Sequence, residues 1–156
     1  MEKLYYGYYK SPIGILRIVV DESSLVALDF NEDKKKQSDE HSYIKEVKNQ
    51  LDEYFKGKRE LFDLKIKLNG TDFQNKVWSE LTKIPYGETI SYKELATRIG
   101  NDKACRAVGN ANNKNKISIV IPCHRVVGSN KKLVGYAGGL EKKEWLINHE
   151  NKVTNE

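Results

Sequence analysis

Residues 69–113 are dense in helix punctuation, and that narrows the fold to short helices joined by tight turns. Asn69-Gly70 breaks the chain. Thr71-Asp72-Phe73-Gln74 is a capping box, in which Thr71 caps the Gln74 amide and Gln74 reaches back. Phe73, Val77, Trp78 and Leu81 then fall at helical spacing. Ile84-Pro85-Tyr86-Gly87 ends that helix in a turn. A second capping box, Ser91-Tyr92-Lys93-Glu94, opens a short helix carrying Leu95, Ala96 and Ile99. Gly100 stops it at the C′ position, and Asn101 or Asp102 is expected to cap the next helix. That helix holds Ala104, Arg106, Ala107, Val108, Gly109 and Ala111. Two short helices joined by a glycine-containing turn outline a helix-turn-helix. A second helix of small residues with one arginine suits close approach to a groove wall, or tight packing in a core with Arg106 left outside.

The charge distribution favours the first of these. Residues 1–69 hold 13 basic and 13 acidic residues, whereas residues 70–156 hold 14 and 9, so the whole net charge of +5 lies in the second half. Between 93 and 132 nine Lys and Arg face only Glu94 and Asp102. Such a surplus predicts a polyanion partner.

The first 69 residues read as a small mixed α/β unit. Leu4–Lys10, Gly14–Val20 and Leu25–Phe30 have strand character, with Asp21-Glu22-Ser23-Ser24 as a polar turn. Asn31–Glu40 reads as a loop. Ile44, Val47, Leu51, Tyr54 and Phe55 mark a helix stopped by Gly57, and Leu64–Leu68 a short strand. No chemical cluster falls in this part, so its expected role is structural.

At 156 residues the chain makes one domain or two small ones. No apolar run approaches the roughly 18 residues of a membrane span, and the N-terminus lacks a secretory pattern. Two cysteines, Cys105 and Cys123, are too few for a disulfide framework. The expected setting is the cytoplasm.

Ile117-Ser118-Ile119-Val120-Ile121 is a β-branched run that predicts one buried strand ended by Pro122, followed at once by Cys123-His124-Arg125-Val126. A thiol acts as a nucleophile through its thiolate, and an adjacent base or positive field lowers its pKa from about 8.5. His124 and Arg125 can supply base and field. Neighbours on an extended strand point to opposite faces, so a Cys–His relay requires a turn after Pro122, a bridging water, or both. A third group should orient the imidazole; Glu150 and Glu144, on a final helix over Glu141–Glu150, are the candidates. That helix is expected to turn Leu140, Trp145, Leu146 and His149 inward. The alternative is a buried structural cysteine, which is the expectation for Cys105. Zinc is not expected: Cys105, Cys123, His41, His124 and His149 lack ligand spacing. The sequence carries no Rossmann or P-loop glycine pattern.

Ile121-Pro122-Cys123-His124-Arg125-Val126 resembles the active-site signature of the O6-alkylguanine-DNA alkyltransferases, the methylated-DNA–protein-cysteine methyltransferases. The segments Thr71–Gln74 through Trp78, Ile84–Gly87, Ser91-Tyr92, Arg106–Asn112, Gly135–Leu140 and His149-Glu150 resemble the same family in the same order, over about residues 71–150. The resemblance implies an α+β protein, with an N-terminal mixed α/β domain over 1–69 and a winged-helix-like domain with a helix-turn-helix over 70–156. It implies a repair protein that flips O6-alkylguanine, and O4-alkylthymine, out of duplex DNA. The alkyl group passes irreversibly to Cys123, once per molecule. It implies that His124 deprotonates Cys123 through a water, that Glu150 orients His124, that Asn115 holds the active-site turn, and that Tyr92 donates a proton to the departing base. Arg106 would replace the extruded nucleotide, with Ala107, Gly109, Asn112 and Arg125 also at the DNA. Val126, Ala137 and Gly138 would line the base pocket. The implied protein is a monomer without cofactor or metal. Lys116 stands where the family commonly has proline, and so does Asp102. Two readings compete. A non-catalytic lesion-recognition protein is disfavoured by Cys123 itself, because such relatives carry tryptophan there. A cysteine hydrolase predicts multiple turnover and no need for the basic helix-turn-helix.

Overall fold

The computed structural model describes residues 3–31, 37–136 and 138–154. The chain divides into two compact units, Met1–Lys67 and Leu68–Glu156.

The first unit is an antiparallel meander of β1 (Tyr5–Ser11), β2 (Gly14–Val20) and β3 (Leu25–Phe30), with helix α1 (Ser42–Phe55) packed on one face. The β1–β2 turn is closed by Ser11, whose hydroxyl donates to the Gly14 carbonyl at 2.6 Å. The Asp21–Ser24 turn is closed by the Asp21 carboxylate, which accepts from the Ser23 and Ser24 amides. Leu16, Ile18, Leu25 and Leu28 of the sheet meet Ile44, Val47, Leu51 and Tyr54 of α1, all fully buried or nearly so. Of the expected loop, residues 32–36 lie outside the described residues. Ser38 and Asp39 accept the Tyr8 and Tyr6 amides, which covers the β1 edge. The strand expected over Leu64–Leu68 is only a single bridge, Ile66 to Leu25. The Gln50 side chain instead fixes this segment by bonding both backbone groups of Asp63.

Gly7 lies under α1: a Cβ there would sit 2.5 Å from Ile44 Cγ2. Ile44 is buried and β-branched, so it has little rotamer freedom with which to yield. Gly7→Ala is expected to destabilise this unit by about 1–3 kcal/mol, the usual cost of overpacking. An unchanged denaturation midpoint would show that the helix shifts freely.

In the second unit, α2 (Asp72–Leu81), α3 (Tyr92–Arg98) and α4 (Cys105–Asn113) form a helical cluster. A two-residue parallel pair, β4 (Ile90–Ser91) with β5 (Val126–Val127), accompanies it. Helix α5 (Leu140–Thr154) closes the unit. The first capping box forms in full, with Thr71 accepting from the Gln74 amide and Gln74 from the Thr71 amide; at the second only Ser91 accepts from the Glu94 amide, and the Glu94 carboxylate takes Arg98 instead. Gly100, at φ 86°, ends α3 in a Schellman motif, with Gly100 N–H to Thr97 O and Asn101 N–H to Ala96 O, both 3.0 Å. Neither Asn101 nor Asp102 caps α4. Its N-cap is Ala104, without a side-chain bond, because Asn101 spends its carbonyl oxygen on the Lys103 amide one turn earlier. Trp78 donates its indole N–H to Ala111 O at 2.8 Å, tying α2 to α4.

Two further expectations fail. Ile117–Ile121 is not a strand but a tight turn, with Ile119 at φ 71°. This is a rare conformation for a β-branched residue. On α5 the buried residues are Lys143, Leu146 and Glu150. Leu140 is exposed, and Trp145 and His149 are half-buried, stacked on each other at 4.9 Å.

Candidate active site

The turn that replaces the expected strand is built by Asn115. Its side chain accepts from the Ile117 amide at 3.0 Å and donates to the Ile117 and Ile121 carbonyls at 3.3 and 2.8 Å. A side chain thus takes the backbone groups that a strand partner would have taken. It holds Ile119 in a conformation that costs on the order of 1–3 kcal/mol. Pro122 follows at φ −80°, ψ 65°, an inverse γ-turn closed by Cys123 N–H to Ile121 O at 2.8 Å. Cys123–Arg125 then make one 3₁₀ turn. This is the bend after Pro122 that a Cys–His relay requires.

All three residues of the turn are buried: Cys123 4%, His124 0% and Arg125 7% exposed. His124 Nε2 lies 2.7 Å from Glu150 Oε2. Glu150, not Glu144, is therefore the orienting carboxylate, and Glu144 faces solvent. Arg125 donates from Nε to Glu150 Oε1 at 2.8 Å and from Nη2 to Oε2 at 3.0 Å. Its Nη1 donates to the Ile84 carbonyl at 2.7 Å, and the Gly87 amide donates to Glu150 Oε1 at 3.3 Å. The Ile84–Gly87 turn therefore seals the ion pair. The resemblance puts Arg125 at the DNA; its guanidinium is instead consumed inside the protein.

Electrostatics follow from this burial. Burial raises Glu150, but His124 and Arg125 outweigh it and hold the carboxyl well below the usual range. Burial lowers His124 despite the attraction of Glu150. The imidazole is thus neutral near pH 7, with its proton on Nε2 facing the carboxylate and Nδ1 bare. Nδ1 is buried and has no hydrogen-bond partner among the described residues. The adjacent His124 and Arg125 predict a depressed Cys123 thiol. Burial instead pushes it up to about 11, against the Asn115 hydrogen bond and the Lys143 charge. Burial thus favours a neutral thiol beside a neutral base.

The remaining candidates divide between face and interior. Arg106 and Ala107 are exposed on α4 and Gly109 is half-exposed. Asn112, expected at the DNA, is 1% exposed and turned inward, its Nδ2 donating to the Cys123 carbonyl at 3.3 Å. Tyr92 donates its hydroxyl proton to the Val134 carbonyl at 2.9 Å. Val126 is fully buried and Gly138 half-buried, while Ala137 lies outside the described residues. Lys116 donates to the Asn69 carbonyl at 2.6 Å. A cavity of about 370 Å³ opens between α3, α4 and the 134–135 segment, lined by Tyr92, Cys105, Arg106, Gly109, Val134 and Gly135.

Sequence reasoning missed Lys143. It is 0% exposed and donates to the Val134 and Gly135 carbonyls at 2.7 and 3.1 Å and to the Tyr92 hydroxyl at 3.4 Å. Its spacing from Leu146 and Glu150 puts it on the inward stripe of α5, and that was the available signal.

The family model described as "6-O-methylguanine DNA methyltransferase, DNA binding domain" matches residues 72–152, and "6-O-methylguanine DNA methyltransferase, ribonuclease-like domain" matches residues 4–68. A methylated-DNA–protein-cysteine methyltransferase of Methanosarcina barkeri is 49% identical over 150 residues, covering 92% of this chain and 95% of the relative. The constitutive methylated-DNA–protein-cysteine methyltransferase of Bacillus subtilis is 42% identical, with 94% of each chain covered. The crystal structure of Mycobacterium tuberculosis OGT in complex with DNA superimposes with a TM-score of 0.88 at 42% identity, over 95% of this chain and 93% of that one. With a fold of this class, a cysteine in this setting and likeness along nearly the whole length, the chain belongs to the methylated-DNA–protein-cysteine methyltransferase family.

Proposed function

We propose that the protein repairs DNA by flipping an O6-alkylated guanine, or an O4-alkylated thymine, out of the duplex and moving its alkyl group onto Cys123. The observation that carries this is the buried Cys123-His124-Arg125 turn, closed by Glu150 and shaped by Asn115. His124 Nδ1 takes the thiol proton, directly or through one water, while Glu150 stabilises the imidazolium that forms. The sulfur attacks the alkyl carbon and the bond to the base oxygen breaks. The electron pair moves onto the base, which takes a proton from Tyr92. The product is a thioether, which ordinary cellular thiols do not cleave, so each molecule acts once.

The base reaches the thiol only by leaving the stack. Residues 70–156 carry DNA contact and chemistry, and residues 1–69 support them structurally. The exposed small residues of α4 let its backbone approach the DNA, with Ala107 and Gly109 at the contact and Arg106 filling the gap. Val126, Ala137 and Gly138 line the base pocket. The protein works as a monomer, in the reducing cytoplasm where its two free thiols persist. No helix among the described residues is long and apolar enough to cross a membrane.

The test is intact-mass measurement after mixing with duplex containing O6-methylguanine. A stoichiometric gain of one methyl, mapped to Cys123, is expected. Tight binding without mass gain would indicate a lesion-recognition protein, and multiple turnover a hydrolase. Arg106→Ala is expected to slow repair in duplex by about 10²-fold or more while leaving reaction with free O6-benzylguanine within a few-fold, since Arg106 acts on the gap and not on the bond. Equal loss on both substrates would place it in the chemistry or the folding.

A further inference from the structure

The alkyl transfer described above leaves one buried charge without a task. Lys143 is fully buried, and an ammonium in that position is costly unless its protons and its charge are met. Its protons are met by three neutral oxygens: the Val134 and Gly135 carbonyls and the Tyr92 hydroxyl. Its charge is not met by those oxygens. Glu150, seven residues on along α5, is held by His124 and Arg125. Glu141 and Glu144 on the same helix face solvent. Of the titratable groups around it, Lys143 bonds Tyr92 from α3, and its charge acts on Cys123 and His124 of the 3₁₀ turn. Its ammonium also lies 5.6 Å from the centre of the Tyr92 ring.

The geometry points to Lys143 as the positioning residue of the transfer: its ammonium fixes Tyr92 and the Val134–Gly135 wall, and it supplies the positive field in which negative charge forms on the Cys123 sulfur and passes to the base. The inference rests on Cys123 being the alkyl acceptor. As the sulfur–carbon bond forms and the carbon–oxygen bond breaks, the electron pair lands on the base and Tyr92 protonates it. The thiol proton held by His124 balances the one Tyr92 gives up, so one proton passes in net from thiol to base. Lys143 keeps its own protons throughout. A fixed charge aimed at developing charge is the effective form of electrostatic catalysis in a dry site.

The step requires protonated Lys143. Burial lowers this lysine from 10.5 to about 8, against the attraction of Cys123. In single-turnover methyl transfer from duplex, log rate against pH for the unmodified protein should lose about one unit of slope near pH 8. Lys143→Met keeps length and apolar stem but not charge. It should transfer about 10²-fold more slowly at neutral pH and lack that bend. A second readout does not use alkyl transfer: iodoacetamide labelling of Cys123, followed by peptide mass, should slow by about tenfold in Lys143→Met, because the thiolate loses its counter-charge. Failure of the unmodified protein to take up methyl would sink the transfer reading, and the labelling would still decide the role of Lys143. Two results overturn the inference: a profile of the unmodified protein without a bend near pH 8, or a variant whose labelling rate and profile match those of the unmodified protein. The first holds even where the variant fails to fold.

Discussion

Cys123→Ala is expected to give a protein that binds alkylated duplex and never takes up the alkyl group. The acceptor atom is gone, so the loss is complete rather than partial. Affinity survives because it comes mostly from phosphate contacts, supplied by the eight exposed basic residues between 93 and 132, Arg125 being buried. Cys105 is the rival acceptor, since it lines the cavity together with Arg106. Among the described residues it is bonded to no histidine, whereas His124, the next residue after Cys123, sits 2.7 Å from Glu150. Peptide mapping after reaction with methylated duplex separates the two. Methyl on Cys105 in the variant, arriving at the rate of the unmodified protein, would falsify the assignment.

The contrast between these cysteines shows how far the sequence reached. The helices of the second unit were legible because their signals are local: Thr71 with Gln74, Ser91 with Glu94, and Gly100 at C′ are each read within a few residues. The catalytic cluster was legible as a motif with a short list of partners. Glu150 could not be ranked over Glu144 by spacing, because the choice depends on which face of α5 turns inward. That face is set by Lys143 and Leu146, and a lysine does not announce itself as a core residue. The turn over Ile117–Ile121 was illegible for a different reason. Four β-branched residues in five favour a strand, and only the Asn115 side chain, bonding across the turn, overrides them. The resemblance puts Arg125 and Asn112 at the DNA, yet Glu150 and the Cys123 carbonyl draw both side chains inside. Local pattern fixes elements, whereas long-range polar pairing decides which polar residues are structural.

That pairing makes Glu150 the second place where a single change should have a large effect. Glu150→Gln preserves shape and removes the charge. The carboxylate accepts from Arg125, His124 and the Gly87 amide. An amide has one oxygen for these donors, and its NH₂ then faces another donor. Arg125 remains charged and buried, and breaking one side of a buried pair costs about 3–5 kcal/mol. At about 2–4 °C per kcal/mol for a chain of this length, the melting temperature should fall by roughly 10 °C. The loss should depend on pH in a definite sense. Glu150 is held below its ordinary 4.5 in the folded state. It therefore contributes stability that is fully present above about pH 4.5 and is lost as pH falls through the folded value. His124 is held below 6.5 by burial. The unfolded chain then binds that proton first, and stability also declines as pH drops below 6.5. In Glu150→Gln the carboxylate contribution is absent, so the two proteins should differ most near neutrality and converge in acid, where Glu150 itself becomes neutral. Activity should fall too, because an imidazolium formed at His124 has no counter-charge and Cys123 keeps its proton. Denaturation at several pH values, alongside single-turnover transfer, measures both. A constant stability difference from neutral to strongly acid conditions would mean that Glu150 acts through shape alone, and the base that serves Cys123 would then have to be activated by some other group.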